Sequence, residues 1–188
     1  MHDVPIGKPL KIHLQAPLLD QILETWRAQL GPDFASYRNH CYRVLNFCQA
    51  FCAEDPTVNE KICIAVAFHD LGIWTHHSFD YLAPSRQLAR EYLVHHPRQP
   101  WTEEVEAMIE NHHRVRTVTD RPDWLVESFR KADWVDVSLG WIRMGLPRNF
   151  VAEVRASFPN AGFHKRLAML TLQRLKTHPW SPLPMMRF

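Results

Sequence analysis

The chain has 188 residues, 46% of them hydrophobic and 22% charged, with a formal net charge of +2. That size suits one domain with a packed core, and so small a charge gives no general attraction to nucleic acid or to an anionic membrane. No window approaches the roughly 18 apolar residues of a membrane span, and the N-terminal MHDVPIGKPLKIHL lacks the apolar run of a secretory signal. The expectation is therefore a cytoplasmic protein with neither a membrane nor a nucleic-acid partner.

In chain order the sequence reads as helices separated by breakers. Leu18, Ile22, Leu23, Trp26 and Leu30 recur at helical spacing over 17–29, and Gly31-Pro32 stops them. A longer helix is predicted over 33–53 and carries Cys41, Cys48 and Cys52. With Cys63 these are expected to be buried, reduced thiols, since no C-x-x-C pair points to a thiolate zinc site. Thr57 and Glu60 form a capping box that opens a third helix to about Leu71, with Gly72 as its stop.

Segment 72–83 has no clean period and reads as a loop. Pro84-Ser85 opens a fourth helix to about His95, with Leu88, Tyr92 and Leu93 inward. Thr102 is expected to cap a fifth, whose first turn holds Glu103 and Glu104 where the helix dipole favours them. Asp120 or Pro122 starts a sixth, running to about Leu139, and two more follow near 147–157 and 160–176. The tail 178–188 holds three prolines and is expected to be extended. Nothing alternates at period two for long enough to make a strand, so the expected fold is a single all-α domain over 1–188.

Four of these helices carry a polar residue on an apolar stripe. Tyr37, His40, Val44, Phe47 and Phe51 share one face of the second. Ile62, Ala65, Val66 and His69 do the same on the third, with Asp70 about 100° further round. Val105, Met108, Ile109 and His112 line the fifth, and Val126, Phe129 and Asp133 the sixth. Burying such groups is costly unless something pairs them. A lone histidine on an apolar face is ordinarily a satisfied core residue, but three of them with two carboxylates form a ligand set. Two aspartates brought together repel unless a cation lies between them, and two carboxylates with one divalent ion sum to zero charge. Neutral imidazole and carboxylate are ordinary ligands for Mn, Fe, Co, Ni, Mg or Zn. Sharing one ion requires His40 and Asp133 to lie within about 8 Å of each other.

The ordered segments NHCYRV (His40), AFHDLG (His69-Asp70), IENHH (His112) and RKADWVD (Asp133) resemble the HD-domain superfamily of metal-dependent phosphohydrolases over roughly 33–140. The resemblance implies a bundle of about seven to eight helices around a divalent metal, and hydrolysis of a phosphoester of a nucleotide or small metabolite. It assigns metal ligation to His40, His69, Asp70 and Asp133. Asp136, one turn on, is a rival to Asp133, which is preferred because it follows the Val126–Phe129 stripe. His112 falls where dinuclear members place a second-metal ligand, but Ser85 falls near where they carry a further histidine, so one metal is implied. Ile73 stands where some nucleotidase members have a glutamate.

On the same resemblance a metal-activated water is the nucleophile. Asp70 takes its proton, and His112 protonates the leaving oxygen or holds a phosphate oxygen. Candidate phosphate contacts are Arg43 (one turn from His40), Lys131, Arg114 and Arg116. Asp80 and Tyr81, from the segment beside the HD pair, are candidate substrate contacts, with Trp74 and Phe79 as possible pocket walls. A diiron oxygenase of the same fold and a non-catalytic helical binding module with a vestigial site are the alternatives. The sequence carries no signal for oligomeric state.

Overall fold

The structure is a computed structural model in which residues 10–186 are described. Most of the N-terminal stretch compared above with a secretory signal, and the last two residues of the tail, lie outside the described residues. The helices are α1 (Pro17–Thr25), α2 (Arg27–Leu30), α3 (Phe34–Ala50), α4 (Pro56–Phe68), α5 (Gly72–Thr75), α6 (Leu82–His95), α7 (Thr102–Asn111), α8 (Val126–Val137), α9 (Arg148–Ser157) and α10 (Phe163–Thr177). No strand occurs among the described residues, and the fold is all-α.

Helix α3 is the axis of the bundle. From Tyr37 to Cys48 only Arg38 and Asn39 reach solvent, the pattern of a helix covered on every side. It packs along α8 on one side and α4 on another, with α9 against its outer part. Helix α4 is buried without a break from Ile62 to Phe68. It is covered by α1, α3, α6 and α7, and α7 in turn packs on α8. Buried tyrosine hydroxyls tie the helices of this core together. The Tyr37 hydroxyl donates to the Ala67 carbonyl at 3.0 Å, joining α3 to α4. Tyr42 accepts the Ala16 N–H at 2.9 Å and donates to Asp20 at 2.7 Å, joining α3 to the start of α1. All four cysteines are buried, and none of them forms a disulfide. No helix among the described residues is long and apolar enough to cross a membrane.

Several boundaries differ from expectation for local reasons. Helix α4 is capped by Asp55, whose carboxylate accepts the Val58 N–H at 2.9 Å, with Pro56 in the first helical position. Thr57 therefore lies inside the helix, and Glu60 instead accepts from Arg98 at 2.9 Å. Thr102 is helical rather than a cap. A 3₁₀ turn, Gln99–Trp101, runs straight into α7, and the Thr102 hydroxyl donates back to the Gln99 carbonyl at 2.8 Å. Helix α8 opens at Val126, not at Asp120 or Pro122, because the Arg121–Trp124 turn closes first and the Leu125 N–H is taken by the Glu104 carboxylate at 2.9 Å. The tail is not extended. Pro179 and Pro184 each sit second in a turn, closed by Ser181 on His178 and by Met186 on Leu183 at 3.1 Å each.

Segment 72–83 is the most informative difference. Gly72 starts α5 rather than ending α4, and α6 begins at Leu82, with Pro84 in its first turn where no N–H is needed. Gly72 is required by a close approach: a Cβ there would lie 2.6 Å from the Tyr81 carbonyl oxygen and 3.0 Å from Ser85 Oγ. The Ser85 hydroxyl accepts the Gly72 N–H at 3.0 Å, so α5 and α6 are clamped together at this point. Gly72→Ala should destabilise the fold by about 1–3 kcal/mol through overpacking against backbone, read as a lowered urea midpoint at unchanged slope.

Candidate metal centre

Six side chains meet where α3, α4, α7 and α8 converge. His40 comes from the middle of α3, His69 and Asp70 from the turn after α4, His112 and His113 from the turn after α7, and Asp133 from α8. His40 Nε2 lies 2.8 Å from His69 Nε2, 3.5 Å from Asp70 Oδ2 and 3.9 Å from Asp133 Oδ1. His69 Nε2 lies 3.5 Å from Asp70 and 3.9 Å from Asp133. His112 Nε2 faces Asp70 Oδ1 at 3.4 Å, and His113 Nδ1 faces Asp133 Oδ2 at 3.2 Å. Asp133 stands in this cluster and Asp136 does not.

Each buried imidazole is turned inward by a bond to its other nitrogen. His69 Nδ1 donates to the Val66 carbonyl at 2.9 Å and His112 Nδ1 to the Ile109 carbonyl at 2.6 Å. Both carbonyls belong to the last turn of a helix, where no intrahelical N–H remains to take them. A carbonyl can only accept, so Nδ1 carries a proton in both rings, and in the neutral form the Nε2 lone pair points into the cluster. Burial opposes charging of His112, but Asp70 and Asp133 raise it. His40, in mid-helix, has no such free carbonyl, and its Nδ1 lies 2.6 Å from Asp136 Oδ2. Asp136 is held in turn by the Arg43 fork, whose Nη2 donates at 2.9 Å while Nη1 donates to the Phe158 carbonyl at 3.0 Å. Phe163 stacks on the His40 ring with centroids 4.0 Å apart, closing the start of α10 over it.

The electrostatics follow from this crowding. Burial opposes charging of His40, but Asp136 and Asp70 outweigh it and hold the imidazole up at about 9. Burial drives His69 down to about 4. Burial alone would raise Asp70, yet His69, His112 and His40 keep it well below the usual carboxylate range. Asp133 is lowered against burial by His113, His112 and His69, and Asp136 against burial by His40 and Arg43.

Whether these residues fit a metal ion is answered by the atoms left over. Asp70 Oδ1, His112 Nε2 and both oxygens of Asp133 are buried with no hydrogen-bond partner among the described residues. Such orphans cost about 1–3 kcal/mol each, more when charged. Three overlapping triads, His40–His69–Asp133, His69–Asp70–His112 and His112–His113–Asp133, each hold their donor atoms within 4.8 Å of one another. Ligands about 2.0–2.2 Å from a shared ion lie about 3–4 Å apart, and imidazoles fixed by carbonyl or carboxylate partners are the usual surroundings of a metal site. The donor set fits.

The remaining sequence candidates fall elsewhere. Arg43 is not placed to meet a substrate: its guanidinium is buried and taken up by Asp136 and Phe158, so it acts on His40 through Asp136. The Lys131 ammonium lies over the Phe51 ring, 5.5 Å from its centroid, at the far end of α3. Asp80 is exposed beside the centre, while Tyr81 reaches it, its hydroxyl 2.7 Å from His113 Nε2. Trp74 is a packing residue, its ring tilted against Tyr37 with centroids 4.8 Å apart and its indole N–H donating to Asp33 at 2.9 Å. His164, which has no inward partner by sequence spacing, bonds the Asp136 carbonyl at 3.1 Å through Nε2. His113 was not identified by periodicity. On a continuing helix it would point about 100° from His112, but α7 ends at Asn111 and the turn brings both inward.

A family model described as HD domain matches residues 37–138, more than half of the chain. The chain belongs to the HD-domain family. No curated protein and no solved structure matches it.

Elemental analysis of untagged protein should find a divalent metal that is lost in His40→Ala and Asp133→Ala and retained in His164→Ala. Asp136→Asn, which keeps an acceptor for His40 but removes the charge facing Arg43, should weaken metal affinity about 10- to 100-fold, measured by chelator competition.

Proposed function

We propose that the protein is a metal-dependent phosphohydrolase acting on a phosphoester of a nucleotide or small metabolite, with one divalent ion held by His40, His69, Asp70 and Asp133. The observation that supports this most is the set of buried carboxylate and imidazole atoms left without partners in the middle of an HD-family bundle. When bound, such an ion lowers the pKa of a water molecule and polarises a phosphoryl oxygen.

The chain's own residues supply the rest. Asp70 directs one oxygen at His40 and His69 and the other at His112, and it is held ionised at neutral pH. It is the base for the proton of the attacking water. His113 is the member of the cluster nearest solvent, its side chain 13% exposed while Asp133 beside it is fully buried. A substrate therefore approaches past His113 and the Tyr81 hydroxyl bonded to it, and these two groups meet the leaving oxygen. Arg114 and Arg116 follow His113 in the chain without a carboxylate partner among the described residues, and they take the place of Arg43 and Lys131 as phosphate contacts. The proposed partner is a small phosphorylated molecule rather than nucleic acid.

A second reading is favoured by one observation. His112, His113 and Asp133 form a further triad that shares Asp133 with the first, although Ser85 is committed to Gly72. Metal stoichiometry separates the two readings. One ion per chain fits the single site, whereas two irons per chain with oxygen uptake would replace hydrolysis by oxygenation.

Metal-loaded protein screened against phosphorylated metabolites should release inorganic phosphate. Asp70→Ala should lower that rate by about 100-fold or more while the helical circular dichroism is kept. Turnover that survives in Asp70→Ala would place the chemistry elsewhere.

A further inference from the structure

About half of the surface arginines among the described residues are paired with a carboxylate. Arg27, Arg38, Arg86, Arg90, Arg98 and Arg166 each meet a glutamate or aspartate. Arg143, Arg148 and Arg155 do not have a carboxylate partner among the described residues, and all three line one cavity of about 410 Å³ between α9 and the segment that follows α8. No acidic residue lines that cavity, and Trp141, 87% exposed, forms part of its wall.

The walls are held in place. On α9, Arg148, Val151 and Arg155 recur at spacings of three and four and share one face. Opposite them, the segment 139–145 turns through left-handed backbone at Leu139 (φ 57°), Gly140 (80°), Met144 (49°) and Gly145 (91°). Left-handed backbone is costly for leucine and methionine and persists where surrounding contacts enforce it. Those contacts are present. The Leu139 and Gly140 N–H groups donate to the Asp136 and Val135 carbonyls at 2.8 Å, and Ile142 N–H to the Ser138 hydroxyl at 3.0 Å. Gly140 is pressed on α9 so closely that a Cβ would lie 2.8 Å from Val151 Cγ1.

Three uncompensated guanidinium groups around one concavity repel each other and focus a positive potential into it. Their planar forks match phosphate oxygens, and an exposed indole offers a face to a planar ring. The volume is that of a small-molecule site, whereas a nucleic-acid groove would need a basic strip that this near-neutral chain lacks. We propose that this cleft binds a phosphorylated small molecule with a planar ring, of nucleoside polyphosphate chemistry, with its phosphates on Arg143, Arg148 and Arg155 and its ring on Trp141. The site is distinct from the metal centre, none of whose six residues lines it. It does not rest on the hydrolase reading. Its ties to the centre are Leu139 and Arg155, which also border a small cavity of about 20 Å³ beside Arg43 and Asp136.

ATP, titrated calorimetrically in EDTA into the full-length protein, is the test. Wild type and Asp133→Ala should bind one ATP per chain with equal affinity, and Arg143→Ala/Arg155→Ala should bind about tenfold more weakly or worse. Arg143→Glu, confined to an exposed loop position, should show the same loss if the double variant fails to fold. Quenching of tryptophan fluorescence by ATP should disappear in Trp141→Leu, while tripolyphosphate binds without quenching. Binding that is lost in Asp133→Ala would place ATP at the metal centre and overturn the proposal. So would binding indifferent to both arginine variants, or a single-stranded oligonucleotide that displaces ATP and binds more tightly.

Discussion

Two ionised carboxylates and four imidazoles, all but His113 fully enclosed, meet at the point where four helices converge, and the rest of the structure is arranged around that burden. A charged group inside a core is tolerated only when something of opposite charge or matching polarity faces it. Here the protein supplies part of the compensation, through His40 raised by Asp136 and Asp70. It leaves the remainder, on Asp70, His112 and Asp133, directed at a common point. The all-round burial of α3 and the unbroken apolar run of α4 keep water away from that point, which strengthens every electrostatic contact there.

The imidazoles are aimed by an economical device. Two helices stop one residue before a histidine, and in each case the carbonyl three residues back, left over by the helix end, fixes the ring. The same terminations let neighbouring residues point the same way, which a continuing helix forbids. Asp70 follows His69 and His113 follows His112 into the cluster for this reason. Where no helix end was available, at His40, a buried carboxylate does the work of the carbonyl, and that carboxylate needs Arg43 opposite it. Arg43 and Asp136 are thus positioning residues for the centre, one layer removed.

The segment after the HD pair shows how a break in periodicity can conceal order. By pattern, 72–83 is a loop, yet it is clamped by Gly72 against Tyr81 and Ser85. The clamp sets Tyr81 beside His113 and leaves Asp80 at the surface. Ser85 is engaged in that clamp, and His113, not Ser85, adds the extra donor to the cluster. The segment 139–145 is similar: its irregular sequence encodes a rigid wall, visible only through its left-handed backbone and its packing on α9.

Helical periodicity, with its breakers, was enough to establish the fold class, the apolar stripes and the inward placement of His40, His69, His112 and Asp133. Each of these is a property of one segment, since the direction of a side chain on a regular helix follows from its number. The 3.9 Å between His40 and Asp133, the place of Asp136 behind His40, the entry of His113 and the withdrawal of Arg43 and Lys131 depend on where helices end and how they cross. Those are set by contacts between residues far apart in the chain, such as Arg43 with Asp136 and Gly72 with Ser85, and no single segment carries that information.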